Sequence, residues 1–309
     1  ATATLMLVAH VEQQGVWLVD GGMHRVAAML EEVATESGAQ FRYGAHVDEL
    51  VVRGGRVTGV RLAGGELVPA SAVVFNGDTG ALTRGLLGAD AAAKHRVAAS
   101  PRRSLSALTF NVLARTSGFP LLRHNVFFSN DYAREFDDIF ERDRLPGEPT
   151  VYVCAQDRSD HDAAPPAGVE RLLCIVNAPP SGDRRTFTSS EIQKCEVQTF
   201  QLMARCGLQV TARTEDTVVT TPNDFERMFP GTGGALYGPA SHGWMASFTR
   251  PGSRSRLPGL FLAGGSTHPG PGVPMAALSG RLAAASILED RASMRRSRPV
   301  AMHGGTSMR

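Results

Sequence analysis

The residues with the clearest chemical promise lie near the end of the sequence. There Leu257 to Ser266 forms an apolar run that closes in Gly264 and Gly265, and a second glycine pair, Gly270 and Gly272, precedes Val273, Pro274 and Met275. A strand that passes through a glycine-rich turn into a helix leaves backbone N–H groups free and aims the positive end of the helix dipole into a gap that only glycine keeps open. Such a gap holds anions. Proline suits the first turn of that helix, because its missing N–H would have had no partner there. A flavin matches the arrangement, since its pyrophosphate and its C2 carbonyl, where negative charge collects on reduction, both take backbone donors. A competing account makes the same glycines a tight connection in any α/β protein, and the local pattern does not choose between the two. His268, between the glycine pairs, is read as a turn histidine capping backbone groups and is assigned no catalytic role. No catalytic residue is named.

The elements that must position this turn are legible as periodicities. From Gly21, Val26, Met29, Leu30 and Val33 recur at helical spacing up to Gly38, which predicts a helix of about four turns. Short runs at Gln40 to Tyr43, Val47 to Val52, Arg56 to Leu62 and Val73 to Phe75, with turns at Gly54-Gly55 and Gly64-Gly65, predict a meander. Further strands are expected at Ser106 to Ala114, Asn125 to Ser129, Thr150 to Ala155, Leu172 to Asn177 and Leu208 to Thr221, with a solvated helix or loop at Asp131 to Arg144. Thr188 to Glu191 reads as a helix start, with Ile192, Cys195, Val197, Phe200 and Met203 as its inner face. The last helix is expected from Pro274 to Leu288, and Arg291 to Arg309 as a disordered tail.

Composition narrows the function. The chain has 309 residues, 42% hydrophobic and 20% charged, with a formal net charge of +2, which is ordinary globular material. Lys and Arg are scattered until the C-terminus, so no nucleic-acid partner is expected. Cys154, Cys174, Cys195 and Cys206 form no C-x-x-C pair, so neither a metal site nor a disulfide framework is expected. No apolar run approaches the ~20 residues that span a bilayer. A G-x-G-x-x-G dinucleotide fingerprint is also missing. Gly231 to Gly238 carries Leu236 where the third glycine belongs, and Gly270-Pro-Gly272 carries Met275 there.

Four stretches carry a family resemblance. Leu257 to Gly280 resembles the C-terminal flavin-binding signature of bacterial phytoene-desaturase-type enzymes. Trp17 to Arg25 resembles the Gly-Gly segment before that family's second FAD-contacting helix, and Phe41 to Leu50 the strand whose valine backbone meets the adenine. Gly231 to Phe248 is similar to the subgroup acting on hydroxylated or methoxylated neurosporene-type carotenoids, the 1-hydroxycarotenoid 3,4-desaturases. The match runs over roughly residues 5 to 290.

The resemblance implies a mixed α/β protein: a partial glutathione-reductase-type FAD/NAD(P)-binding fold with a mixed-sheet substrate domain. It implies residues 1–20 in the substrate domain, 21–84 as the middle FAD segment, 85–221 as the substrate domain, 222–290 as the C-terminal FAD segment and 291–309 as tail. Family members open with a G-x-G-x-x-G unit, so the chain is expected to be the C-terminal portion of such an enzyme, with a missing N-terminal half or other carotenoid enzymes as partners. FAD is the implied cofactor, held by Val47, Gly264, Gly265, Gly272, Val273, Pro274 and Met275, and the implied reaction is dehydrogenation of an acyclic carotenoid. Phe110, Phe128, Trp244 and Phe248 are candidates to line the substrate path, with Phe119 and Phe127 nearby, though each also fits an ordinary core. Peripheral contact with the cytoplasmic side of an inner membrane follows for so apolar a substrate, with Arg291, Arg295, Arg296 and Arg298 as a basic cluster that either meets anionic lipid or is simply solvated. Two other readings stay open: a non-catalytic isoprenoid- or carotenoid-binding protein of the same fold, and an amine oxidase-like flavoenzyme.

Overall fold

The structure, a computed structural model, describes residues 12–13, 15–95, 102–159, 166–240 and 250–296. Helix α1, His24–Glu36, leads into an antiparallel ribbon of β1, Val47–Arg53, β2, Arg56–Leu62, and β3, Leu67–Pro69. The glycine pairs turn the ribbon as expected: Gly54 and Gly55 have φ of 57° and 75°, and Gly64 and Gly65 have φ of 95° and 92°. The next strand, β4, Val73–Phe75, leaves the ribbon and ends at the short helices α2, Thr79–Thr83, and α3, Ala89–His95. From the far end of the sequence β11, Leu260–Leu262, returns to pair in parallel with β4, Leu262 opposite Phe75. Leu50, Val57, Leu82, Leu257, Leu260 and Leu262 close a small core between these pieces.

The intervening residues build a second, larger layer. Strand β5, Ser106–Ser117, is paired on one side with β8, Glu170–Ala178, and on the other with β10, Thr217–Thr220. Beyond β8 lie β7, Val151–Ala155, and β6, His124–Phe127, while β9, Gln209–Thr211, extends the end of β5. The alternating burial along β8 is what a strand with one face on a core produces. That core is covered by α5, Ser189–Arg205, whose start is fixed by a capping box: the Thr188 hydroxyl accepts the Glu191 N–H, and the Glu191 carboxylate accepts the Thr188 N–H. Helix α4, Tyr132–Phe140, and helix α6, Pro222–Met228, complete this part, and α7, Val273–Arg296, follows β11.

Several expectations change. Gln40 to Tyr43 is not a strand; Phe41 and Tyr43 stack on each other and Arg42 pairs with Glu66 outside any ladder. The single strand expected from Leu208 to Thr221 is two strands split by a 3₁₀ turn at Thr214–Asp216. Every described pairing of the large sheet is antiparallel, and the parallel pair lies instead between β4 and β11. On α5, Val197 is about half exposed, and Thr199 and Leu202 occupy the buried stripe with Cys195 and Met203. Helix α7 continues through Arg291, Arg295 and Arg296, which the sequence pattern assigned to a tail; Arg298 lies outside the described residues. The periodic apolar residues of α1 are not buried, because no described element lies over that face.

Candidate functional site

The parallel pair β4–β11 sends two loops out at the same end, which is where a doubly wound sheet opens a ligand crevice. One loop is Asn76 to Thr79, the other Gly264 to Gly272. They are tied together: the Thr79 N–H donates to the Ser266 hydroxyl at 3.3 Å, and the Ala263 N–H to the Phe75 carbonyl at 3.1 Å. Gly264 has φ of 107°, and a Cβ there would stand 2.8 Å from the Asn76 side-chain oxygen, so only glycine fits between the two loops. Its N–H donates to the Ser279 hydroxyl of α7 at 2.8 Å, and its carbonyl accepts from the Thr267 hydroxyl at 2.8 Å.

Downstream the turn opens. Gly272 has φ of 110° and a Cβ on it would meet nothing within 4 Å; Gly272, Val273 and Pro274 are exposed and Met275 half-buried. The first N–H groups of a helix have no carbonyl within the helix to meet, so the start of α7 faces this open side with donors and a positive dipole end. The turn therefore combines a rigid inner half with an open outer half, which fits the pyrophosphate or carbonyl edge of a flavin laid against it.

Acidic and basic groups gather beneath the turn. The Asp78 carboxylate caps α2, accepting the Gly80 N–H at 2.7 Å. Burial pushes its carboxyl above the ordinary range and Glu226 adds to this, opposed by the Gly80 N–H and by the charges of Arg103 and Arg250. Glu226 accepts from the N–H groups of Gly231 at 2.9 Å and Gly233 at 2.6 Å, which shapes the glycine run Gly231 to Gly234 into a tight loop rather than a dinucleotide fingerprint. Arg103 forms a bidentate pair with Asp183, at 2.7 and 2.8 Å, which also meets Arg84; burial works against Asp183's ionisation, but these two guanidinium groups hold it well below the usual carboxylate range. Arg250 is buried under the turn and donates to the carbonyls of Gly265, Tyr237 and Pro239.

Of the residues singled out from sequence, Gly264, Gly265, Gly272, Val273, Pro274 and Met275 form one continuous turn and helix start. Val47 sits apart on β1, half-buried against the small core that also holds Leu260 and Leu262. Phe110 takes the ordinary-core alternative: it is fully buried within the large core, its ring centroid 6.0 Å from that of Phe200. Phe127 is likewise core, and Phe119 packs on it at 5.1 Å. Phe128 is 65% exposed and meets Tyr132 edge-on, at one end of an aromatic row Phe128, Tyr132, Phe136, Phe140 along α4. Trp244 and Phe248 lie outside the described residues. Sequence reasoning missed Asn76, Asp78, Ser279 and Arg250. Asp78 was open to detection, as an N-cap residue directly after an apolar strand.

The model of the family described as flavin containing amine oxidoreductase matches residues 1–288. The chain is 58% identical over 309 residues to the hydroxyneurosporene desaturase of Rubrivivax gelatinosus, which covers 100% of the chain and 59% of that protein. It is 44% identical over 299 residues to the enzyme of the same name from Cereibacter sphaeroides, covering 96% of the chain and 59% of that protein. The chain thus spans about three fifths of the length of these relatives. Among solved structures, an oxidoreductase from Methanosarcina mazei shares the fold at a TM-score of 0.50 and 18% identity, over 87% of this chain and 54% of that one.

Proposed function

Because this chain belongs to the flavin-containing amine oxidoreductase family, we propose that it supplies the substrate-facing part and one flavin-holding edge of an FAD-dependent carotenoid desaturase. The reaction is the removal of two hydrogens from a C–C single bond beside the polyene of an acyclic carotenoid of the hydroxylated or methoxylated neurosporene type. One observation carries this reading: the open turn from Gly264 to Met275 against the N-terminus of α7, in a chain 58% identical to a hydroxyneurosporene desaturase.

A flavin, when bound, supplies the acceptor for the hydride. The chain's own residues do the rest. Gly264 and Ser279 fix the inner half of the turn, so that its backbone is held ready before any ligand arrives and little ordering cost remains. The start of α7 favours negative charge on what lies against it. Residues 21–84 and 222–290 are the flavin-holding segments in this proposal, and 85–221 the substrate side. So apolar a substrate reaches the protein from a bilayer, which makes contact with the cytoplasmic face of the inner membrane peripheral; no helix among the described residues is long and apolar enough to cross one.

Titration of the purified chain with FAD tests the reading. Saturable quenching of flavin fluorescence with a sharpened visible band is expected. A folded chain that leaves the fluorescence unchanged would put the holding of the flavin elsewhere.

A further inference from the structure

Arg250 is 7% exposed, a guanidinium placed where solvation has been given up. Burying such a charge is costly unless its donors are used, and here they reach three carbonyls on two separate pieces of chain. Nη1 donates to the Gly265 carbonyl at 2.9 Å, and Nη2 to the carbonyls of Tyr237 and Pro239, both at 3.0 Å. Nε lies 3.5 Å from where a Cβ on Gly270 would stand, so the same side chain underlies both glycine pairs of the turn. The Tyr237–Pro239 segment is itself tied to the start of the large sheet. The Tyr237 N–H donates to the Ser104 hydroxyl at 3.0 Å, and the Ser104 N–H to the Gly238 carbonyl at 2.9 Å.

We propose that Arg250 is a positioning residue for the flavin: it locks the Gly264–Gly272 turn to the substrate sheet through Gly265 and the Tyr237–Pro239 segment, and its buried positive charge raises the reduction potential of a flavin lying on that turn. The planar fork spreads its donors over separate nitrogens that reach carbonyls on both segments; a lysine ammonium keeps the charge on one compact nitrogen but not that geometry. Reduction places negative charge on a flavin, and a fixed cation in a water-poor site favours that state. This inference rests on the flavin reading of the turn.

The experiment compares the wild-type protein with Arg250→Lys and Arg250→Gln, measuring thermal unfolding, FAD dissociation constant and the midpoint potential of the bound flavin. Both variants are expected to bind FAD about tenfold more weakly, since a turn no longer held must be ordered on binding. The potential is expected to fall in Arg250→Gln and to be largely restored in Arg250→Lys. Wild-type affinity and potential in folded variants overturn the proposal, as does failure of both variants to fold, which makes Arg250 a structural clamp alone. Absence of FAD binding in the wild-type protein instead overturns the flavin reading.

Discussion

Ser279, six residues into helix α7, accepts the N–H of Gly264 at 2.8 Å and donates to the carbonyl of Ala276 at 2.6 Å, so the turn and the helix that follows it are joined through a single hydroxyl. It is 1% exposed. Ser279→Ala leaves the Gly264 N–H buried without an acceptor, at a cost of about 1–3 kcal/mol. The expected outcome is a lower unfolding temperature together with weaker FAD binding, measured by calorimetry and by flavin fluorescence.

Two glycines of the same turn separate folding from ligand holding. Gly264→Ala meets both a left-handed backbone and the Asn76 side chain at 2.8 Å, so it is expected to lose about 1–3 kcal/mol of stability or more. At Gly272 a Cβ meets nothing, and Gly272→Ala carries only the backbone strain of about 1–2 kcal/mol. Replacement by a bulky side chain, Gly272→Phe, is expected to cost no more than a little beyond that in stability while abolishing FAD binding. Chemical denaturation beside FAD titration checks both halves; equal FAD affinity in Gly272→Phe and wild type would contradict the open side as the flavin face.

Part of the acid sensitivity should sit inside the large sheet. Glu170 and Arg158 are both nearly fully buried and meet at two oxygens, 2.7 Å each, with Thr116 bonded to both. Burial alone pushes the Glu170 carboxyl upward, but the hydrogen bonds from Arg158 and Thr116 and the charge of Arg158 outweigh it and hold it below the ordinary range. A carboxyl lowered in the folded state adds stability above its unfolded value, about 4.3, and that stability is lost as the pH falls below it through the folded value. Glu170→Gln strands the Arg158 charge and is expected to lose about 3–5 kcal/mol at neutral pH. Its stability should also fall less steeply than the wild type's between pH 5 and 3, a window of about two units around the ordinary carboxyl range, in urea titrations at each pH.

The thiols divide by burial. Cys174 and Cys195 are buried, and burial pushes each up to about 12, whereas Cys206 is exposed. Only thiolate reacts with a disulfide reagent, so a chromogenic disulfide is expected to label Cys206 rapidly in the native protein and Cys174 and Cys195 only after denaturation. Rapid native labelling of Cys174 would contradict the placement of β8 in the core.

What was legible in the sequence was local. The capping box at Thr188 and Glu191, the glycine-pair turns of the ribbon and the proline in the first turn of α7 are decided by residues within four positions of one another, and the structure has all of them. The parts left open or misread were not decided by a local window. Phe110 is core because Phe200, ninety positions later, lies against it, and no window on β5 contains that fact. Thr221 and Asp224 form a second capping box around Pro222, which the strand-like run before them concealed. Helix α7 outlasts its expected end because charged residues beyond Leu288 continue a helix as readily as they fill a tail, and no glycine or proline stops it before Arg296. The Gly264–Gly272 turn itself was visible as glycines and prolines, but the residues that hold it, Asn76, Ser279 and Arg250, come from three other places in the chain.

The most direct test is an anaerobic single turnover of the FAD-loaded protein with a hydroxylated neurosporene, recording the flavin band and the polyene spectrum together. The account predicts that the flavin bleaches as the polyene absorption moves to longer wavelength, both with one rate constant. Uptake of the polyene with the flavin still oxidised and the polyene unchanged, or bleaching by a primary amine but not by the polyene, would contradict it.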